Sequence, residues 1–117
     1  MTQYVDGFVL PIPREQLAAY QAVVTKVADI WKEYGAIDYR ECVIDDPSLE
    51  GTRSFTDAAN AKADEVVIFG WVTFASRQAR DLANQQVPND ARMADLIAPL
   101  TSASPPIFDA ARMVYGG

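Results

Sequence analysis

Ionisable side chains on segments that read as β-strands mark where this chain could do chemistry, because a charge inside a sheet is costly unless paired or used. Asp6 stands among Val5, Phe8 and Val9, and Arg112 lies in a final extended segment expected beside it. Two roles fit the pair: an internal ion pair, or a general base at Asp6 with an anion clamp at Arg112, both facing a barrel interior. Tyr39 and Glu41 share one parity of a second extended segment, and Phe69 and Trp71 share one parity of a third. Together they can line a cavity. The plainer alternative makes Trp31, Trp71 and Tyr39 packing residues of the core or of an interface. Arg80 and Asn84, four residues apart, share a helix face with Asp81 close by. That set reads either as one that orients the neighbouring sheet edge or as a solvated or interface face.

Other chemistries are excluded by what the chain lacks. It has no histidine, which removes imidazole bases, Ser–His and Cys–His nucleophile pairs, proximal haem ligands and most zinc sites in one step. Cys42, the single cysteine, has no imidazole to activate it and is expected to be a small buried hydrophobe. Asp45, Asp46 and Glu50 do not have the spacing of a calcium loop. No metal and no cofactor is expected.

The elements that must position these residues are marked by period and punctuation. Tyr4 to Ile12 reads as a strand ending in Pro11-Ile12-Pro13. Leu17, Tyr20, Val24, Val27 or Ala28, Trp31 and Tyr34 then recur at helical spacing, with Pro13 suited to the first turn and Gly35 to the position past the end. Ala36 to Asp46 is extended, and charge on both of its faces suggests an edge strand. Pro47 to Asp64 is a long connection that Phe55 can pin down. Glu65 to Ala75 is apolar on both parities, as a strand covered on both faces would be. Ser76 is a plausible N-cap for a second helix carrying Ala79, Leu82, Ala83 and Val87. Asn89 or Asp90 can cap a short third helix that stops before Pro99. Ile107 to Tyr115 is expected as the last strand.

The order strand, helix, strand, strand, helix, strand is the ferredoxin-like βαββαβ arrangement, an α+β fold with a four-stranded antiparallel sheet and the first and third strands central. The helices cover one face only. Because the central strand is apolar on its other face too, a second copy of the chain is expected to cover it, giving a dimeric α/β barrel.

With 117 residues, half of them hydrophobic, the chain is expected to form one domain over residues 1–117, large enough for a core without disulfides. A net charge of −6 repels phosphate backbones and anionic lipid, so neither nucleic acid nor membrane is an expected partner. The first residues lack a basic and apolar secretory pattern, and the apolar run from Val66 to Ala75 is too short to cross a bilayer. A cytoplasmic location is the resulting expectation.

Several strings resemble the DUF1428 family from end to end: Tyr4-Val5-Asp6-Gly7-Phe8-Val9-Leu10-Pro11, Trp31-Lys32-Glu33-Tyr34-Gly35-Ala36, Tyr39-Arg40-Glu41-Cys42-Val43, Ser76-Arg77 with Arg80-Asp81 and Asn84, and Arg112-Met113-Val114-Tyr115-Gly116-Gly117. The resemblance implies a dimeric α/β barrel of ferredoxin-like fold and no particular reaction. Tyr34 stands where many members have histidine. Some members carry a label naming the RNA of the signal recognition particle, but this chain has no basic track with exposed stacking aromatics. Superfamily relatives include cofactor-independent monooxygenases holding aromatic substrates between sheet and helices, and some that bind haem. Without histidine the haem route falls away.

Two functions therefore remain. The first is a homodimeric small-molecule-binding or cofactor-independent enzyme-like barrel, its pocket built from Asp6, Tyr39, Glu41, Trp71 and Arg112 and filled by a small apolar or aromatic molecule. The second is a non-catalytic homodimeric module whose polar strand residues hold the interface.

Overall fold

The computed structural model describes residues 2–117. Strands β1 (Tyr4–Pro13), β2 (Asp38–Val43), β3 (Glu65–Phe74) and β4 (Val114–Gly116) form one antiparallel sheet in the order β2-β3-β1-β4. The long apolar strands β1 and β3 pair over their full length in the centre, and the charged β2 lies at an edge. This is the ferredoxin-like order, with the main helices α1 (Leu17–Glu33), α3 (Arg77–Gln86) and α4 (Ala91–Thr101) in addition to a single turn, α2 (Phe55–Ala58).

Strand alternation decides which side chains meet the helices. Asp6, Phe8, Leu10 and Ile12 of β1 face them, as do Tyr39 and Glu41 of β2 and Ile68, Val72 and Phe74 of β3. Helix α1 buries Tyr20, Val27 and Ile30, with Tyr20 in contact with the Leu10, Ile12 and Ile68 side chains of this face. Two core clusters result, one of Leu10, Ile12, Tyr20, Ile68 and Leu100 and one of Ala36, Val72, Phe74 and Ala83. Full burial of side chains such as Leu10, Ile12 and Phe74 is worth about 1.5–3 kcal/mol each.

Several local expectations change. Pro13 ends β1 and is followed by a 3-10 turn, Arg14–Gln16, before α1 begins at Leu17. Helix α4, capped by Asp90, runs through Pro99 to Thr101. Pro99 is exposed, so the carbonyl that it leaves without a donor can meet water, while the buried Leu100 holds the last turn in the core. The last strand is only Val114–Gly116, because Asp109 caps a 3-10 turn over Ala110–Arg112 where a longer strand was expected. The 47–64 connection contains α2, capped by Ser54, and Phe55 packs on Phe69 with ring centroids 5.5 Å apart. Cys42 is exposed, not buried: on an edge strand, it points to the face that carries no main helix. That open face also carries Val5, Val9, Phe69, Trp71 and Val114.

Candidate functional site

Between the sheet and helices α1 and α4 lies a cavity of about 350 Å³. Its walls are mostly apolar: Phe8 and Leu10 from β1, Val24, Val27 and Trp31 from α1, and Ile97 and Leu100 from α4. Phe108 and Met113 complete it from the segment between α4 and β4. The volume is in the range of natural small-molecule pockets.

Helix α4 is held in place from α1. The Tyr34 hydroxyl donates to Asp90 Oδ2 at 2.7 Å, and Arg92 makes two 3.0 Å bonds to Glu33. After α4, the amides of Ile107 and Phe108 both donate to the Leu100 carbonyl at 2.8 and 3.1 Å, bringing Phe108 back over the cavity.

Two polar groups interrupt the apolar lining. At the β2 side, Glu41 accepts from two phenols: Tyr20 Oη donates to Oε1, and Tyr39 Oη donates to Oε2 at 2.6 Å. Burial pushes the Glu41 carboxyl above its ordinary pKa, although both phenol hydrogen bonds pull the other way. The phenols of Tyr20 and Tyr39 are also raised, by burial first and then by the charge of Glu41. This trio also lines a groove on the outer side, between α1 and β2, so it forms part of the wall between cavity and surface.

At the β1 side stands Asp6, 5% exposed. Its Oδ1 accepts from Arg80 Nη1 at 2.8 Å. The same guanidinium donates to the hydroxyls of Tyr115 at 2.9 Å and Tyr4 at 3.1 Å and to Asp81 at 2.8 Å, and it lies 4.7 Å from the Tyr4 ring centroid. Asn84, one helical turn after Arg80, reaches the cavity wall.

The expected Asp6–Arg112 pair therefore gives way to an Asp6–Arg80 pair. Arg112 lies in the 3-10 turn before β4, outside the β1 ladder, and makes two bonds of 2.6 and 2.8 Å to Glu65 and one of 3.0 Å to the Asn60 carbonyl. It lies outside the cavity but ties the segment carrying Phe108 and Met113 to the start of β3. Trp71 is likewise absent from the cavity. Its register partners are Gly7 and Arg40, which puts it on the open face, while Tyr39 and Glu41 face the helices. Of the five expected pocket residues, the structure brings together Asp6, Tyr39 and Glu41.

Sequence reasoning did not single out Tyr4, Tyr20 and Tyr115 as polar partners. Arg80 left a readable trace: it stands three and seven residues before Ala83 and Val87, so it belongs to the buried stripe of α3. Leu82, expected on that stripe, is instead 52% exposed.

A family profile described as "Protein of unknown function (DUF1428)" matches residues 3–104. The chain is 37% identical over 115 residues to "Uncharacterized protein YbaA" of Escherichia coli strain K12, an alignment covering 98% of this chain and 93% of that protein. The same figures hold for the proteins of that name from Escherichia coli O157:H7 and Shigella flexneri.

Proposed function

Given that the chain belongs to the DUF1428 family, whose description names no reaction, we propose from the site itself that this protein binds a small, flat, apolar molecule between its sheet and helices, as a homodimer. The observation that carries the first part is the cavity: about 350 Å³, apolar on most of its wall, with polar groups confined to a few positions. Side chains held at so few points orient a ligand whose affinity comes from burial. Glu41 is the group in this cavity suited to general acid–base work, being a buried carboxyl that keeps its proton to higher pH than usual.

The open face supports the homodimer. Val5 and Val114 are 46% and 52% exposed, beside the half-buried Phe69 and Trp71. Trp71, Gly7 and Gly116 lie in one row across three strands. A Cβ built at Gly116 meets nothing within 4 Å, and one at Gly7 meets only the Gly116 carbonyl at 4.0 Å. The result is a shallow depression beside an indole, apolar and vacant, of the kind a second sheet fills.

Native mass spectrometry of the purified protein, followed by amide chemical-shift mapping with indole as a neutral flat probe, tests both parts. The expected result is a homodimer in which indole shifts the amides of Tyr20, Trp31, Phe108 and Met113. A monomer removes the assembly claim, and amide shifts confined to residues outside the cavity remove the binding claim.

A further inference from the structure

The two carboxyl groups on the cavity wall differ in what they leave free. Glu41 has a phenol donating to each oxygen. Asp6 has one oxygen fixed and one open: Oδ1 accepts from Arg80 Nη1 at 2.8 Å, while Oδ2 has no hydrogen-bond partner among the described residues. Every fully buried side-chain oxygen and nitrogen among those residues does have a partner, so an unbonded Oδ2 must meet open space. Asp6 is only 5% exposed and lines the cavity, so that open space is the cavity.

The result is a carboxylate oxygen aimed into apolar surroundings, where its lone pairs have little water to occupy them. Arg80 fixes it from behind. That guanidinium is held in turn by Asp81 and Tyr4 and is not itself on the cavity wall. Hydrogen-bond donors stand beside the pair. The Tyr115 hydroxyl accepts from the same Nη1 at 2.9 Å, which polarises it as a donor, and its own proton meets no acceptor in hydrogen-bond geometry among the described residues. Burial first, and Asp6 next, raise the Tyr115 pKa, so the phenol keeps that proton. The Asn84 amide lines the wall one helical turn along α3 from Arg80. A base next to donors that can hold a developing oxyanion is the arrangement that removes a proton from carbon beside a carbonyl.

We infer that Asp6 is a general base and that the cavity enolises flat apolar ketones. Oδ2 takes a proton from the carbon next to the ligand carbonyl. The C–H electron pair becomes the new C=C bond, and the carbonyl π pair moves onto oxygen, to which Tyr115 and Asn84 donate. Return of the proton from Asp6, to the same carbon or to a conjugated one, closes the cycle without an oxidant or reductant. The inference rests on the proposal that the cavity binds a small flat molecule, and it adds a reaction class and a second ionisable group.

The probe is 2-tetralone, a flat bicyclic ketone whose ring-flanked C1 protons are acidic. Exchange of those protons for deuterium, followed by proton NMR in buffered D2O at neutral pH, reads the reaction, and amide shifts of Tyr20, Trp31, Phe108 and Met113 read binding. Wild-type protein is expected to accelerate C1 exchange saturably over buffer. Asp6→Asn should lower kcat at least about 100-fold while 2-tetralone still shifts the cavity amides. Tyr115→Phe, which alters a half-exposed side chain and spares the Asp6–Arg80 contact, should lower kcat at least about tenfold. Binding of 2-tetralone to wild type without faster exchange would overturn the enolisation and leave cavity binding standing. Neither binding nor exchange would refute both. Undiminished exchange in Asp6→Asn would move the base to another group and overturn the assignment, and undiminished exchange in Tyr115→Phe would remove Tyr115 from the step.

Discussion

Asp6→Ala puts the electrostatic core of the site to the most direct test. Asp6 and Arg80 are in contact at 2.8 Å with side chains 7% and 11% exposed, so removing the carboxylate leaves a guanidinium facing an apolar cavity wall. Removing one partner of a buried pair costs about 3–5 kcal/mol. Asp81 still contacts Arg80 at 2.8 Å but is 53% exposed, so it compensates only in part, and the lower end, about 3 kcal/mol, is expected for Asp6→Ala. For a chain of 117 residues, an unfolding entropy of about 2.1 cal/mol/K per residue converts this to a fall in Tm of roughly 12 °C. Thermal unfolding followed by near-ultraviolet circular dichroism reads the shift. A double-mutant cycle then identifies the partner. Asp6→Ala and Arg80→Met should be coupled by at least about tenfold in the folding equilibrium constant, whereas Asp6→Ala and Arg112→Met should be additive, because Arg112 shares no partner with Asp6. A fall in Tm below about 4 °C, or coupling to Arg112 in place of Arg80, would refute the reasoning.

Four further outcomes follow from the same geometry. Burial holds the folded Glu41 carboxyl above its ordinary 4.5, so the native state binds that proton more tightly than the unfolded chain. Its contribution is fully present below the unfolded value and fades as pH rises through the raised native one. The Tm of wild type minus that of Glu41→Gln should therefore fall from about pH 4 to about pH 8, and a rising difference would reverse the assignment. The Glu65 carboxyl is shifted the other way by Arg112: its contribution is present above 4.5 and fades as pH falls through the depressed native value. Arg112→Ala should flatten that acid limb and speed amide exchange over residues 107–113, and unchanged exchange would show that the ion pair does not hold the segment. A Cβ at Gly70 would lie 2.4 and 2.5 Å from Phe8 ring atoms and 2.8 Å from the Arg40 carbonyl oxygen. Since the ring can swing but the backbone cannot, Gly70→Ala should cost about 1–3 kcal/mol in urea unfolding, and a cost below about 0.5 kcal/mol would show that the sheet yields there. Gly7→Arg places a long charged side chain on the open face with little to clash with in the monomer. It should leave the circular dichroism unchanged and convert the dimer to monomer in light scattering, and an undiminished dimer would place the interface elsewhere.

The sequence by itself determined the element order and the sheet, because strand and helix formation depend on periodicities that neighbouring residues carry locally. The doubly apolar β3 had to be central, and charge on both parities of β2 put it at the edge. Ser76 was legible as a cap, while the choice of Asp90 over Asn89 for α4 came with the structure, where Asp90 accepts from the Arg92 amide. Alternation also placed Asp6, Tyr39 and Glu41 correctly within their own strands. It could not relate the parity of one strand to that of another, which is why Trp71 was grouped with a cavity that it turns away from. Relative parity is set by register, and register emerges only when strands pair across the sheet. The partner of Asp6 was decided at the same level. Arg80 and Arg112 have the same charge and are both remote in sequence; packing of α3 on the sheet brings one guanidinium to 2.8 Å, while a 3-10 turn before β4 directs the other to Glu65. The Glu41 cluster is a tertiary property as well, because the two phenols that donate to its oxygens come from α1 and from β2.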